Sequence, residues 1–476
     1  MYSLIISQHH RVIHMRLFVF VFCFVSLLIS FKWASAAEVN NGPIVQFLSS
    51  EMVTTKTKGK PTLVLHDSLG IINAMARGDT ERLRKICETL KGPPSSPNAL
   101  NDLLIGLCKA ALARTQGNFA LSNTILHEAM DKAQPWGNPN LSINPFNIEA
   151  VSMGAGNFML SGQTSVWVDS QYYLGRTFIA PVRIHYSIPD LQFPDMSLIR
   201  VTASPADVPV VAGSGPLTDH VEINPFATMS GNQAIRSAKI NITLDGMSTS
   251  ATLSTGTVLG AVPAAMQRIR HWQEIGFLAQ ENGGPAASRA TQLVLIPSLT
   301  LGHTVLRNQL MFVIPGNDVI IGLQTLGALR HVVMTDQSMT FGPNAPFACH
   351  RPVHLQSDIS GLRAHILLPV SYRGKTVMAA VATGDNNPQP LAIMVDRFPS
   401  GLLGSRLAPT TQGKTDGVKT EQALLFNTEI KIDKHIVHDQ IRYRIGSPSL
   451  APILTMAALE NAKFSFDLHE GVACLD

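Results

Sequence analysis

The segment I-N-I-T-L-D-G-M-S-T-S-A-T-L-S-T-G, from Ile240 to Gly256, has a counterpart in L-P-V-S-Y-R-G-K-T-V-M-A-A-V-A-T-G, from Leu368 to Gly384. Each position meets its partner at a constant offset of 128, so that Leu244 answers Tyr372, Gly246 answers Gly374 and Thr255 answers Thr383. Both segments read as apolar strand, tight turn at Gly, apolar strand, then X-T-G. X is Ser254 in the first copy and Ala382 in the second.

The pairing continues downstream. Val319 to Leu329 lines up with Ser449 to Leu459 at an offset of 130, and Ser298 to Asn308 with Glu429 to Asp439 at an offset of 131. Offsets that drift so little describe a duplicated domain with small insertions. The order of strand, turn, X-T-G loop, middle strand with a turn, apolar pair plus Gly, and short helix resembles the retropepsin-like fold of aspartyl proteases. Two such units in one chain resemble the two-lobed pepsin arrangement, with the active site at the lobe interface. The resemblance covers about half the chain, Ala238 to Asp476. The expected fold class is therefore mainly β with an N-terminal helical segment, the two β lobes forming a bilobal unit.

The resemblance implies an Asp where Ser254 and Ala382 stand. An aspartic protease holds two carboxylates that share one proton, one acting as base toward water and the other as acid toward the substrate. Ser254 has no basicity near neutral pH and Ala382 has no functional group, so neither role is filled and no catalytic residue is expected. Losing one such acid–base role costs about 10²–10⁴ in rate. The resemblance further implies that Thr255 and Thr383 hydrogen-bond across the lobe interface, and that Gly256 and Gly384 permit the tight backbone that follows. The function expected is that of an inactive homologue holding a peptide or protein partner in the inter-lobe cleft. The alternatives are an active endopeptidase using a displaced carboxylate such as Asp385, next to Gly384, or an envelope protein whose cleft is filled. The resemblance places a flap over the cleft in the part of the chain that holds 280–288 and 405–419, stretches that read equally as ordinary surface loops.

Other chemistry is sparse. His350 and His354 have the spacing of a metal pair, but Pro352 between them argues against the helix that would align them. His271, His303, His331 and His365 are scattered, and no phosphate loop, dinucleotide fingerprint or G-x-S-x-G elbow occurs. No cofactor or metal is expected.

The N-terminus reads as a targeting signal. Leu17 to Phe31 is an almost unbroken apolar run behind Arg11 and Arg16, and Ala34-Ser35-Ala36 supplies a small-residue cleavage pattern after Ala36. Removing residues 1–36 takes away Arg11, Arg16 and Lys32 and no acid, so the net charge falls from +4 to +1. That excludes a polyanion-binding surface. A periplasmic or secreted protein without a membrane span after cleavage is expected. In that oxidising setting Cys349 and Cys474, at equivalent ends of the two repeats, are expected to form an inter-lobe disulfide. Cys87 and Cys108 fit less well: on antiparallel helices turning at Pro93-Pro94 they would be offset by roughly 7 Å along the axis, beyond a comfortable bridge.

Residues 37–62 read as a linker and 63–134 as helical. Apolar stripes such as Leu100, Leu103, Leu104, Leu107 and Ala111 stop at Gly78-Asp79, Gly92-Pro93-Pro94 and Gly117-Asn118. The piece Ala110 to Leu121 resembles the helix-turn-helix of a tetratricopeptide repeat, and such a pair is expected to pack on the neighbouring domain. Residues 135–237 read as β-rich without a recognisable motif. The lobes are expected at 238–350 and 360–476, with a short helix spanning Val262 to Ile275.

Overall fold

The computed structural model describes residues 63–90, 99–133, 145–174, 199–201, 213–230, 233–278, 291–385, 387–402, 404–414, 417–445 and 451–476. The targeting segment, the linker and much of 135–237 lie outside these residues. The architecture is mainly β, preceded by helices. No described helix is long and apolar enough to cross a membrane.

Six helices form three αα-hairpins: α1 (Leu63–Ala76) with α2 (Thr80–Leu90), α3 (Ala99–Thr115) with α4 (Phe119–Ala133), and α5 (Pro145–Leu160) with α6 (Thr164–Leu174). Each turn is built on one glycine with positive φ, namely Gly78, Gly117 and Gly162. The glycine N–H returns to a carbonyl three residues back, and the next N–H to one five residues back, as in Asn118 N to Ala113 O at 2.9 Å. This closes the preceding helix. In the first two hairpins the residue after Gly also opens the next helix: Asp79 and Asn118 accept from the N–H groups of Arg82 and Leu121 at 3.0 and 3.1 Å.

The third hairpin corrects the expectation of a β-rich segment over 135–237. Its turn is Gly162-Gln163, and Gln lacks the short side chain that marks a helix start. Helix α6 carries Val166, Trp167, Val168, Tyr172 and Tyr173, which favour strands intrinsically. Burial overrides that preference, since Trp167 and Val168 are fully enclosed. The rest of the segment is also redistributed. Strand Asp219–Glu222 joins a sheet between the lobes, and Asn224–Ser230 pairs with Gln233–Leu244, so the boundary expected at 238 falls inside a strand.

Cys87 and Cys108 are bonded, with Cα atoms 5.7 Å apart. The axial mismatch assumed a tight turn at Pro93-Pro94, which lies outside the described residues, between α2 ending at Leu90 and α3 starting at Ala99.

Lobe one is a ten-stranded sheet and lobe two an eight-stranded sheet, and a five-stranded sheet takes strands from both ends of the pair. The two leading hairpins match in detail. Asp245-Gly246 and Arg373-Gly374 both have two consecutive positive φ angles, the signature of the type I′ turn that suits strand twist. After each hairpin a short strand runs parallel to its second arm: Val319–Ile321 beside Ala251–Leu253, and Ile453–Leu454 beside Ala380–Val381. Ile321 therefore answers Leu454, an offset of 133 instead of the expected 130. Gly322 and Thr455 then play one role, each starting a helical turn. In lobe one a Cβ at 322 would meet Val258 O at 2.4 Å. In lobe two Thr455 uses its side chain to accept from Ala457 N.

Two further expectations are adjusted. The helix placed at Val262–Ile275 spans only Ala264–Arg270, because strand Gln273–Leu278 follows at once. The stretch 405–419 is an edge hairpin, Arg406–Lys414 against Gly417–Ile432, with residues 415–416 outside the description. The loop expected at 280–288 lies outside the described residues.

The helical hairpins pack on lobe two. A Cβ at Gly117 would lie 2.4 Å from Val353 and 3.0 Å from Gly471 Cα, and one at Gly361 would lie 2.6 Å from Gly156 O. Between these contacts the buried Arg114 donates to the carbonyls of Met153, Ile359 and Asp358 at 3.3, 3.0 and 2.7 Å. Burial pulls its guanidinium down to about 10. Lobe one is touched by the third hairpin, where Gln324 Nε2 donates to Thr164 Oγ1 at 2.7 Å.

Candidate functional site between the lobes

Each X-T-G loop leaves the second arm of its leading hairpin and is held from below by the parallel short strand. Ser254 N–H donates to Ile321 O at 2.9 Å, and Ala382 N–H to Leu454 O at 2.8 Å. These anchors aim the loops at one another. Thr255 N–H donates to Thr383 Oγ1 at 3.1 Å, and Thr383 N–H to Thr255 Oγ1 at 3.2 Å. The hydroxyls pass the pattern on, Thr255 Oγ1 to Val381 O at 2.8 Å and Thr383 Oγ1 to Leu253 O at 3.0 Å. Four buried bonds thus tie the lobes together about a local two-fold relation.

Gly256 and Gly384 have ordinary φ angles. What they supply is close approach: a Cβ at 384 would lie 2.7 Å from Ser254 Cβ and Oγ, and one at 256 would lie 3.0 Å from Ala382 Cβ. Ser254 and Ala382 thus sit at the centre of the loop pair, both buried.

A third tie is one-sided. His365, on strand Ala364–Tyr372, takes a hydrogen bond from Gln356 Nε2 to its Nδ1 at 2.9 Å and faces the backbone of Gly256. Burial pulls its imidazole below the usual histidine range, partly offset by Gly256 and by the charge of Asp358. His365 thus links strand Ala364–Tyr372 to the first X-T-G loop. The reading of His365 as scattered missed this because the contact crosses from one repeat to the other; the only sequence-level hint is strand pairing, which sets His365 opposite Gln356.

Asp385 accepts from Asn387 N–H at 3.1 Å, while its own N–H donates to Ala382 O at 3.0 Å. Burial pushes its carboxyl up from the usual aspartate range, and the Arg442 guanidinium, Asn387 N–H and Arg444 pull it back. Both arginines are buried. Sequence reading did not single them out, since apolar-strand alternation hides them on strand His435–Ile445.

Cys349 and Cys474 are bonded, their Cα atoms 5.7 Å apart, at the ends of the sheet shared by the lobes. In the same sheet His331, Asp467 and Glu470 bring ligand atoms within 4.8 Å of one another. Arg330 already supplies a cation there, its Nε 3.2 Å from Asp467 Oδ2 and its Nη2 3.6 Å from Glu470 Oε1. The group reads as an inter-lobe ion-pair network. His350 and His354 flank a non-helical Pro352 and do not share a helix face.

No family model matches the chain, and no curated protein matches it. Among solved structures, the chain is similar to one described as edgp, at 9% identity and a TM-score of 0.35, covering 55% of this chain and 94% of that one. It is also similar to basic 7S globulin from soybean, at 11% identity and a TM-score of 0.32, with 55% and 95% covered. Conglutin gamma, a basic 7S globulin from lupine seeds, gives 9%, 0.29 and the same coverage. Likeness at this level assigns neither activity nor ligand, so function has to be argued from the residues of the site.

Proposed function

We propose that the chain is an exported aspartyl-protease-like protein without the catalytic dyad, and that it holds an extended peptide or protein segment between its lobes without cutting it. The observation that carries this reading is the reciprocal Thr255–Thr383 bonding with Ser254 and Ala382 at its centre. A rigid inter-lobe loop pair is what such a cleft needs for binding, while hydrolysis needs two carboxylates sharing a proton. The targeting segment and the two disulfides support an oxidising, extracytoplasmic location.

A second reading uses Asp385 as the sole carboxylate of an active endopeptidase, and its raised protonation range favours it. One carboxylate cannot serve as base and acid at once, and Arg442 and Arg444 are drawn to its charged form. The binding reading is therefore preferred. The test is digestion of an unfolded protein at acid pH by the purified mature chain, beside fluorescence-polarisation binding of labelled extended peptides. Binding without cleavage is expected. Acid proteolysis abolished by Asp385→Asn would establish the second reading instead.

A further inference from the structure

The leading hairpin of lobe one turns one face to the core and the other to solvent. Ile240, Ile242 and Leu244 are buried, while Asn241 and Ser250, opposite one another across the hairpin, are exposed. Thr243 and Ser248 form the next pair, and Thr243 is flanked on its other side by Thr300. These five polar residues form the floor of a cleft of about 690 Å³, a size within the roughly 300–1,000 Å³ of small-molecule sites. Its wall is Val221, Glu222 and Asn224, where the chain passes from the shared sheet into lobe one, and Gly302 lies at its edge.

The wall is fixed independently of any ligand. Asp219, on the strand of Glu222, accepts from Thr304 Oγ1 and His303 N–H at 2.8 Å each. A Cβ at Gly302 would lie 2.7 Å from that carboxylate. The strand of the shared sheet is thereby tied to the turn after Leu301, and the cleft between them is preorganised.

The lining carries one carboxylate, Glu222, and no cation, which disfavours phosphate and other anions. Among the described residues, the floor side chains, Glu222 and Asn224 make no hydrogen bond to the protein. Hydroxyls and amides both donate and accept, and a carboxylate accepts from two neighbouring donors. The ligand that answers such a lining offers donors and acceptors together at short intervals, as a polyhydroxylated chain does. An extended peptide adds to a sheet through an open strand edge. At 242–244 the floor strand is already paired on both sides.

We propose that this cleft is a binding site for a neutral oligosaccharide, with Glu222 accepting from adjacent ring hydroxyls and Asn241 donating and accepting at the floor. No lining residue belongs to an X-T-G loop, so the site is independent of the peptide reading.

The experiment titrates maltotriose, cellotriose and chitotriose into the full mature chain by isothermal calorimetry. The chain is made in a bacterial periplasm so that Asn241-Ile242-Thr243, an acceptor triplet for N-linked glycans, carries none. Glu222→Gln/Asn241→Ala removes polar contacts, and Ser248→Trp fills the cleft; all three positions are exposed, so each variant is expected to melt as the wild type does. At least one saccharide is expected to bind, with a loss of about tenfold or more in each variant. Inorganic phosphate and an extended peptide are expected not to compete. No binding of any of the three at about 10 mM, affinity unchanged in both variants, or displacement by phosphate or peptide overturns the proposal.

Discussion

The two lobes share their backbone frame and differ in what they place on it. Both leading hairpins turn through paired positive φ angles, both X-T-G loops hang from a parallel short strand, and each threonine bonds the other's backbone. The side chains around this frame diverge: Ser254 against Ala382, and Met311 against Arg442 on equivalent strands. The divergence falls where a side chain can be exchanged without losing a backbone hydrogen bond. A buried N–H or carbonyl must be satisfied, whereas the same strand face accepts a thioether or, with a counter-charge, a guanidinium.

The largest difference in stability is expected at the disulfides. Cys349–Cys474 closes a separation of 125 residues and joins the lobes, and Cys87–Cys108 closes only 21 within the helices. In the chain-entropy account, loops of these sizes are worth nearly 5 and about 3 kcal/mol. Cys349→Ser/Cys474→Ser is expected to lower the denaturation midpoint more than Cys87→Ser/Cys108→Ser. Equal losses would show that the inter-lobe bridge adds little beyond the threonine bonds.

Next come the threonines themselves. Thr255→Val and Thr383→Val each leave buried donors without partners, a loss of about 1–3 kcal/mol apiece. Each variant removes its own pair of bonds, so the double variant is expected to lose about the two single losses combined. Single variants as stable as the wild type in chemical denaturation would mean that the lobes are not held by this bonding.

The two loop glycines are expected to differ as well. A new Cβ would be 2.7 Å from Ser254 at position 384 and 3.0 Å from Ala382 at position 256. Gly384→Ala is therefore expected to destabilise more than Gly256→Ala, by about 1–3 kcal/mol against less than that. Differential scanning calorimetry would rank them.

The smallest effects are those of pH, and they separate the lobes. His365 of lobe two has a lowered folded range because burial disfavours its charged form. The unfolded chain then binds the proton more readily, so stability is complete above about 6.5 and declines as pH falls toward the lower folded value. Asp219, beside lobe one, also has a lowered folded range, its burial outweighed by hydrogen bonds from Thr304, His220 and His303. Its contribution is present above about 3.9 and is lost only as pH falls through the folded value. The decline between these two windows should vanish in His365→Gln, and the loss at the acid end in Asp219→Asn. A His365→Gln variant that keeps the upper decline would assign it elsewhere.

Features that act over a few residues, or that repeat, are legible in the sequence alone. Gly-Asp and Gly-Asn end one helix and cap the next, Asp245-Gly246 and Arg373-Gly374 set a hairpin turn, and a constant offset exposes the duplication. Each works through local backbone geometry, so reading needs no partner from afar. The third helical hairpin escaped because Gln163 is a weak start signal and α6 is rich in strand-favouring residues, a preference that only packing reverses. The downstream register slipped by three because apolar runs align nearly as well when shifted. The cross-lobe bonds at a separation of 128 residues, the approach of Gly384 to Ser254 and the pairing of His365 with Gln356 came only with the tertiary structure. These depend on where two lobes come to rest against each other, a property of buried surface and close packing that no short stretch of chain carries.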